Sequence, residues 1–248
     1  MENPLQKIRL GEITSQWAKH QGLTCRFEQS TTSTSDLAKE EAFGVALAED
    51  LKVYLTDHQT KGRGRGSNTW SEGQPGSSLL SSWSYLQNEA PQPVLVPRVG
   101  LALLRSVKTV WPFLDWSLKS PNDLFLNDKK IAGLLLETLS QGDEYRLIVG
   151  LGFNILQSPA DLDTATHLVQ ELPPGCPLLG DDWAAWLDRW LFELTDAMAK
   201  PAEPLTTTER VALAQALNDR PSLQDEILQV HADGSLETGK GKTSWMEI

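Results

Sequence analysis

Glycine alternates with arginine in Lys61-Gly62-Arg63-Gly64-Arg65-Gly66, a pattern suited to holding an anion. Glycine carries no Cβ, so backbone amides there can approach a ligand closely. Each guanidinium is a planar, permanently charged fork that matches the oxygens of a carboxylate or phosphate. On these residues alone the loop is either a specific anion site or a basic tract of the kind that grips nucleic acid. Farther along, Pro121-Asn122-Asp123 joins turn-forming residues to a carboxylate, and Asn127-Asp128-Lys129-Lys130 places two lysines at a turn. Ser33-Thr34-Ser35 is a hydroxyl cluster of the type that caps a helix. Gly133 and Gly150 fall in strand-like segments, where a missing side chain marks a bulge, close strand packing or room for a flat ligand. Gly234 to Lys240 approaches a phosphate-binding loop, but Gly241 stands where that loop needs Ser or Thr, so it reads as a surface hairpin.

Regular elements must hold these residues in place. Hydroxyls at 32–35 followed by acids predict a helix over 35–48, and Leu51, Val53 and Leu55 alternate as a strand over 51–56 that leads into the glycine loop. Residues 58–76 are rich in glycine and hold Pro75, which is turn chemistry. A strand is expected at 78–85, a helix at 93–110 and a strand at 114–119. Segments 124–126, 131–139 and 145–156 are strand-like, and their short links make the sheet antiparallel or mixed. Trp183, Trp186, Leu187, Trp190, Leu191, Leu194 and Met198 form one face of a helix over 181–200 that Pro201 stops. Residues 201–204 read as a linker, 207–217 as a helix, and the remainder as short strands. A tail this small cannot stand alone and must dock. The expected organisation is therefore a main domain over 1–200 and a small appendage over 201–248.

Composition narrows the function classes. A formal charge of -11 argues against a chain whose main task is binding nucleic acid. Cys25 and Cys176 share no spacing with any His, so neither a zinc site nor a disulfide framework is indicated, and a reducing compartment fits. No apolar run approaches the length of a membrane span, and the first ten residues lack a leader's apolar stretch. A cytoplasmic location without membrane contact is the expectation.

Five motifs in order resemble the biotin protein ligase family. They are Ser33-Thr34-Ser35, the run Gln59 to Trp70 containing Gly-Arg-Gly-Arg, Lys119-Ser120-Pro121-Asn122-Asp123-Leu124, Lys130-Ile131-Ala132-Gly133-Leu134-Leu135-Leu136-Glu137, and Gly150-Leu151-Gly152-Phe153-Asn154. The likeness is close over about residues 30–156. It implies an α+β fold: a mixed, largely antiparallel sheet with helices packed on one face, plus a small, abbreviated C-terminal β module. It also implies a chemistry in which biotin and ATP give biotinyl-adenylate and pyrophosphate, after which the acyl group passes to one lysine of a biotin carboxyl carrier protein of acetyl-CoA carboxylase.

By the same resemblance, Arg63 and Arg65 face the adenylate phosphate and carboxyl oxygens, with Gly62 and Gly64 between them. Lys130 stabilises charge on the carboxylate and α-phosphate, and Asp123 orients the incoming amine or takes its proton. Ser33, Thr34, Ser35 and Gln59 bind the ureido head group, and Gly133 and Gly150 make room for the rings. Trp70, Asn122 and Asn154 serve the nucleotide, with Mg²⁺ accompanying ATP and no metal held by the chain itself. Ser35 stands where the family has Asn, and Ser120 where it has Trp, which removes an aromatic wall. The segment before Ser30 is shorter than the DNA-binding domain some relatives carry, so a repressor role is not expected. The short tail leaves any part of the C-terminal module in ATP binding in doubt. A lipoate protein ligase and a non-catalytic biotin or nucleotide binder stay open as alternatives, as does a homodimer through a sheet edge. Glycines and like charges also predict a loop with no fixed form until an anion orders it.

Overall fold

Alternating side chains build the first of two compact units, which takes in residues 1–89 and 131–173. The structure, a computed structural model, describes residues 9–44 and 50–247. Five strands make the sheet of this unit: β1 (Thr24–Glu28), β2 (Leu51–Thr56), β3 (Ser78–Gln87), β6 (Lys129–Gln141) and β7 (Glu144–Asn154). Their order is β1-β2-β3-β7-β6, with β1 outermost. Strands β1 and β2 pair in parallel, whereas the β2–β3, β3–β7 and β6–β7 pairings are antiparallel. The mixed, largely antiparallel sheet anticipated from the short links is what forms.

Helices α1 and α2 take opposite faces of this sheet. Helix α1 (Leu10–His20) sets Trp17 edge-on to Trp83 of β3, with ring centroids 6.3 Å apart. Helix α2 (Thr34–Glu40) sits on the other face, where its Ser35 hydroxyl lies 3.3 Å from that of Ser82. Strand period explains the split, because Ser82 and Trp83 are consecutive and point opposite ways. Helix α2 is also shorter than the helix expected over 35–48. Residues 41–43 leave it as a turn, and residues 45–48 lie outside the described residues. Neither α1 nor β1 was anticipated from the sequence.

The second unit comprises residues 90–130 and 174–248, so the boundary expected after residue 200 falls inside it. Helix α3 (Leu95–Val110) lies against the β4 (Trp116–Lys119) and β5 (Asp123–Leu126) hairpin and against α5 (Gly180–Met198). Trp186 of α5 donates from its indole to the Ser106 hydroxyl of α3 at 3.0 Å and stacks on Trp111. The tail docks here as α6 (Thr207–Asn218), followed by a three-stranded antiparallel sheet of β8 (Ile227–Val230), β9 (Leu236–Thr238) and β10 (Gly241–Thr243). The short helix α4 (Leu168–Glu171) belongs to the first unit.

One buried side chain organises the segment read as a linker. Arg98 of α3, 3% exposed, donates to the carbonyls of Lys200, Glu203 and Pro204 and to the Glu209 carboxylate. Glu209 in turn accepts from the Thr206 amide at 2.7 Å, while its own amide donates to the Thr206 hydroxyl, a capping box that starts α6. Burial opposes the charge on Glu209, yet the bonds from Arg98 and Thr206 outweigh it and hold its carboxyl below the usual range.

Candidate active site

In the first unit, the chain leaving β2 brings three groups of candidate residues together. Residues 58–61 run beside residues 31–32, with Thr31 N–H donating to the His58 carbonyl and Lys61 N–H to that of Thr32. This pairing lays Gln59 against Thr34. The Gln59 side-chain oxygen accepts from the Thr34 amide at 2.8 Å and from its hydroxyl at 3.3 Å. The Ser82 hydroxyl, from β3, donates to Thr34 Oγ1 at 2.8 Å and lies 3.3 Å from Ser35 Oγ. Ser33 caps α2 by accepting from the Ser35 amide, so the capping reading of that cluster holds for Ser33. The result is a buried chain of hydrogen-bonding groups on the sheet face that α2 covers.

Glycines shape the same face. Gly150 lies opposite Ser82 on one side and Leu135 on the other. A Cβ there would meet Ser35 Oγ at 3.3 Å and Leu135 at 3.4 Å, so its missing side chain admits α2 close to the sheet. Gly133 pairs with Gly152. A Cβ on Gly152 would stand 2.4 Å from the Trp70 indole, which therefore lies directly on that glycine.

Beyond Lys61 the arginine loop has a ladder of its own. Arg63 bridges Thr69, Gly64 N–H donates to the Asn68 carbonyl at 2.9 Å, and Trp70 N–H to that of Gly62 at 3.1 Å. Gly62 is needed because a Cβ would come within 2.5 Å of the Trp70 carbonyl oxygen, and Gly66 turns the hairpin with a φ of 65°. The hairpin is closed by these backbone hydrogen bonds. The Arg63 guanidinium meets carboxylates, with Asp36 at 2.7 Å and Glu137 at 3.7 Å, and Glu137 also takes Lys39 at 2.6 Å. Arg65 is exposed on the hairpin.

Asn154 is held differently from the nucleotide role expected of it. Its oxygen accepts from Ser78 and its amide group donates to the Thr166 carbonyl, both at 3.2 Å, inside a buried environment. The side chain tethers the end of β7 to β3 and to the segment that follows.

The remaining candidates lie in the second unit. Lys119 and Asp123 are a register pair closing the β4–β5 hairpin, and the Asp123 carboxylate meets the Lys130 ammonium at 2.7 Å. Asn127 and Asp128 both have positive φ, 49° and 61°, which these short polar residues tolerate, and they turn the chain from β5 into β6. Asn122 sits in the connection between β4 and β5. Beside it, the Ser120 hydroxyl donates to the Trp245 carbonyl, and the Trp245 indole donates to the Pro121 carbonyl at 2.7 Å. Where an aromatic wall was expected to be lost, a tryptophan from the end of the chain packs.

Two residues that sequence reasoning passed over belong to the first group. Ser82 is one of four serines in β3, set among buried apolar residues, a signal that was readable. The Glu72 carboxyl lies 2.5 Å from His58 Nδ1 and accepts from the Gln59 amide at 3.3 Å, fixing the backbone on which Gln59 sits. Burial pushes its carboxyl above the usual range, against the pull of His58.

The model of the biotin/lipoate A/B protein ligase family matches residues 27–154, more than half of the 248 residues. The chain belongs to that family. Every candidate residue named above lies within the matched stretch except Trp245 and Thr166. As a member of the biotin/lipoate ligase family, the chain is 31% identical over 173 residues to the bifunctional ligase/repressor BirA of Bacillus subtilis, covering 66% of this chain and 50% of that protein. It is 33% identical over 108 residues to the chloroplastic biotin–protein ligase 1 of Arabidopsis thaliana, covering 42% of this chain and 29% of that one. With the biotin–[acetyl-CoA-carboxylase] ligase of Mycobacterium tuberculosis it shares 28% over 162 residues, 60% of this chain and 55% of the other. The chain thus spans about half the length of these relatives or less. Among solved structures, the biotin protein ligase of Aquifex aeolicus in complex with biotin and ATP superposes with a TM-score of 0.65 at 23% identity, covering 89% of this chain and 94% of that one. The biotin protein ligase of Leishmania major in complex with biotinyl-5-AMP gives 0.60 at 23%, covering 89% and 98%. These likenesses establish the fold.

Proposed function

We propose that the chain is an ATP-dependent biotin protein ligase that makes biotinyl-adenylate and passes the acyl group to one lysine of a biotin carboxyl carrier protein. The observation that carries this reading is the span from Gln59 to Arg65. One short segment joins a buried network of neutral donors and acceptors to a hairpin of cations. Biotin has that same division, with a neutral ureido ring at one end and a carboxylate at the other. Lipoate, the rival substrate, offers an apolar dithiolane with no donors or acceptors to match the hydrogen-bonding capacity that Gln59, Thr34 and Ser82 keep beyond their bonds to one another.

In the proposed reaction a biotin carboxylate oxygen attacks the α-phosphorus of ATP, and the bond to the leaving pyrophosphate breaks. Arg63, Arg65 and Lys130 offset the negative charge that gathers as two anions meet. Asp36 and Glu137 must then give up part of their hold on Arg63. The carrier lysine nitrogen next attacks the acyl carbon, the bond to AMP breaks, and Asp123 takes the proton the amine must lose. Trp70 and Asn122 serve the nucleotide, and Gly133 and Gly150 keep side chains away from the ligand. Among the described residues no group of three or more His, Cys, Asp or Glu side chains could hold a metal ion. Mg²⁺ is proposed to arrive on the phosphates of ATP, ligated mainly by their oxygens and by water. When bound, it supplies neutralisation of phosphate charge.

The setting proposed is the cytoplasm, with acetyl-CoA carboxylase's carrier domain as protein substrate and no nucleic acid. The outer edge of β1 is the place for a second copy or for the carrier. No described helix is long and apolar enough to cross a membrane. Incubation with ATP, Mg²⁺, a carrier domain and either biotin or lipoate tests the reading. The expected result is biotin-dependent pyrophosphate release and carrier labelling, abolished in Lys130→Ala. Labelling with lipoate alone, or none with either acid, refutes it.

A further inference from the structure

We propose that Trp245 is a positioning residue for the Asn122, Asp123 and Lys130 group, so that the last turn of the chain takes part in acyl transfer. The inference rests on the functional reading above. Lys119 and Asp123 close the β4–β5 hairpin as a register pair, which leaves residues 120–122 as its connection. A connection at a hairpin tip is ordinarily the softest part of the element. Here it is gripped from outside by a residue 125 positions from Ser120 and 124 from Pro121: Ser120 Oγ donates to the Trp245 carbonyl, and Trp245 Nε1 donates to the Pro121 carbonyl at 2.7 Å. Those bonds fall on the two residues immediately before Asn122, and the next residue, Asp123, meets Lys130 at 2.7 Å.

The anchor is itself ordered. Trp245 is 5% exposed and opens a 3-10 turn over Trp245–Glu247. Glu247 closes that turn, accepting from the Thr243 hydroxyl at 3.2 Å and the Ser244 amide at 3.4 Å while its own amide donates to the Ser244 carbonyl at 3.1 Å. Any shift of the indole therefore moves the backbone that aims Asp123 at the amine whose proton it takes.

Two variants test this without discarding the ring. Trp245→Phe removes the indole N–H, and Ser120→Ala removes the second bond. Transfer from preformed biotinyl-adenylate to the carrier domain is expected to slow about tenfold in Trp245→Phe and up to a hundredfold in the double variant, because misplacing a reacting group by an ångström has effects of that order, while biotin affinity by calorimetry stays within about twofold. A purely structural role would lower the thermal midpoint and weaken biotin binding in step with transfer, and that outcome overturns the proposal. An unchanged transfer rate in the double variant overturns it as well. Wild-type protein that binds no biotin would instead sink the functional reading, whatever the variants do.

Discussion

Strand β3 carries two surfaces that are equally dry and chemically unlike. On one, Leu79, Ser81 and Trp83 face α1, and the Trp83 indole donates to the Ser81 hydroxyl at 3.0 Å, so its single polar atom is satisfied within the strand. On the other, Ser82 passes its hydrogen bond to Thr34, and Thr34 passes its own to Gln59, at the root of the arginine hairpin. Ser82 and Trp83 are both fully buried. Burial therefore does not separate core from site. What separates them is whether a polar group's partners are local and complete or lead outward to residues that can reach a ligand.

Truncating Trp83 to Ala breaks the first surface, with an expected loss of about 3–5 kcal/mol in a urea titration, as for other buried tryptophans. Biotin affinity of the molecules that remain folded is expected to hold, and a parallel collapse would show that the two faces are one cooperative unit. Ser82→Ala attacks the second surface with one atom. It is expected to lower stability by about 1 kcal/mol and biotin affinity by about tenfold, read by calorimetry. Unchanged affinity would return Ser82 to the core.

The smallest effect lies at the far end of the site face, where Glu41 accepts from Lys52, Tyr54 and Arg26. Burial opposes its charge, but these partners outweigh it and hold the carboxyl below its usual range. A carboxyl lowered by folding contributes stability above its unfolded value, and that contribution is lost as pH falls through the folded one. Wild type is thus expected to exceed Glu41→Gln in stability at neutral pH, with the gap closing below pH ~4, the usual carboxylate range. A gap that stays constant with pH would show that the network acts through packing instead of charge.

Much of this was legible in the chain. Strand β2 leading into glycine-rich turns, the tryptophan face of α5 and the antiparallel links after Asp123 follow from local period and turn chemistry. Helix α1 was also within reach, because Leu10, Thr14, Trp17 and Ala18 are buried at helical spacing. The length of α2 was overestimated because acidic and small residues over 39–48 favour a helix as readily as the turn that forms at 41–43. The Ser82–Thr34 and Trp245–Pro121 contacts were not legible at all. They join residues 48 and 124 positions apart, and no local pattern encodes which hydroxyl or indole will arrive. The same limit explains Asn154, whose motif suggested a nucleotide but whose amide is occupied by Ser78 and Thr166.

Arg98 changes what the proline-flanked segment before α6 can be used for. A peptide whose carbonyls at Lys200, Glu203 and Pro204 all end on one buried guanidinium cannot act as a swivel, because any rotation would strand a charge that water cannot reach. The terminal helix and its three strands are thereby locked to α3, and a stretch that looks like a tether in composition works as a rivet.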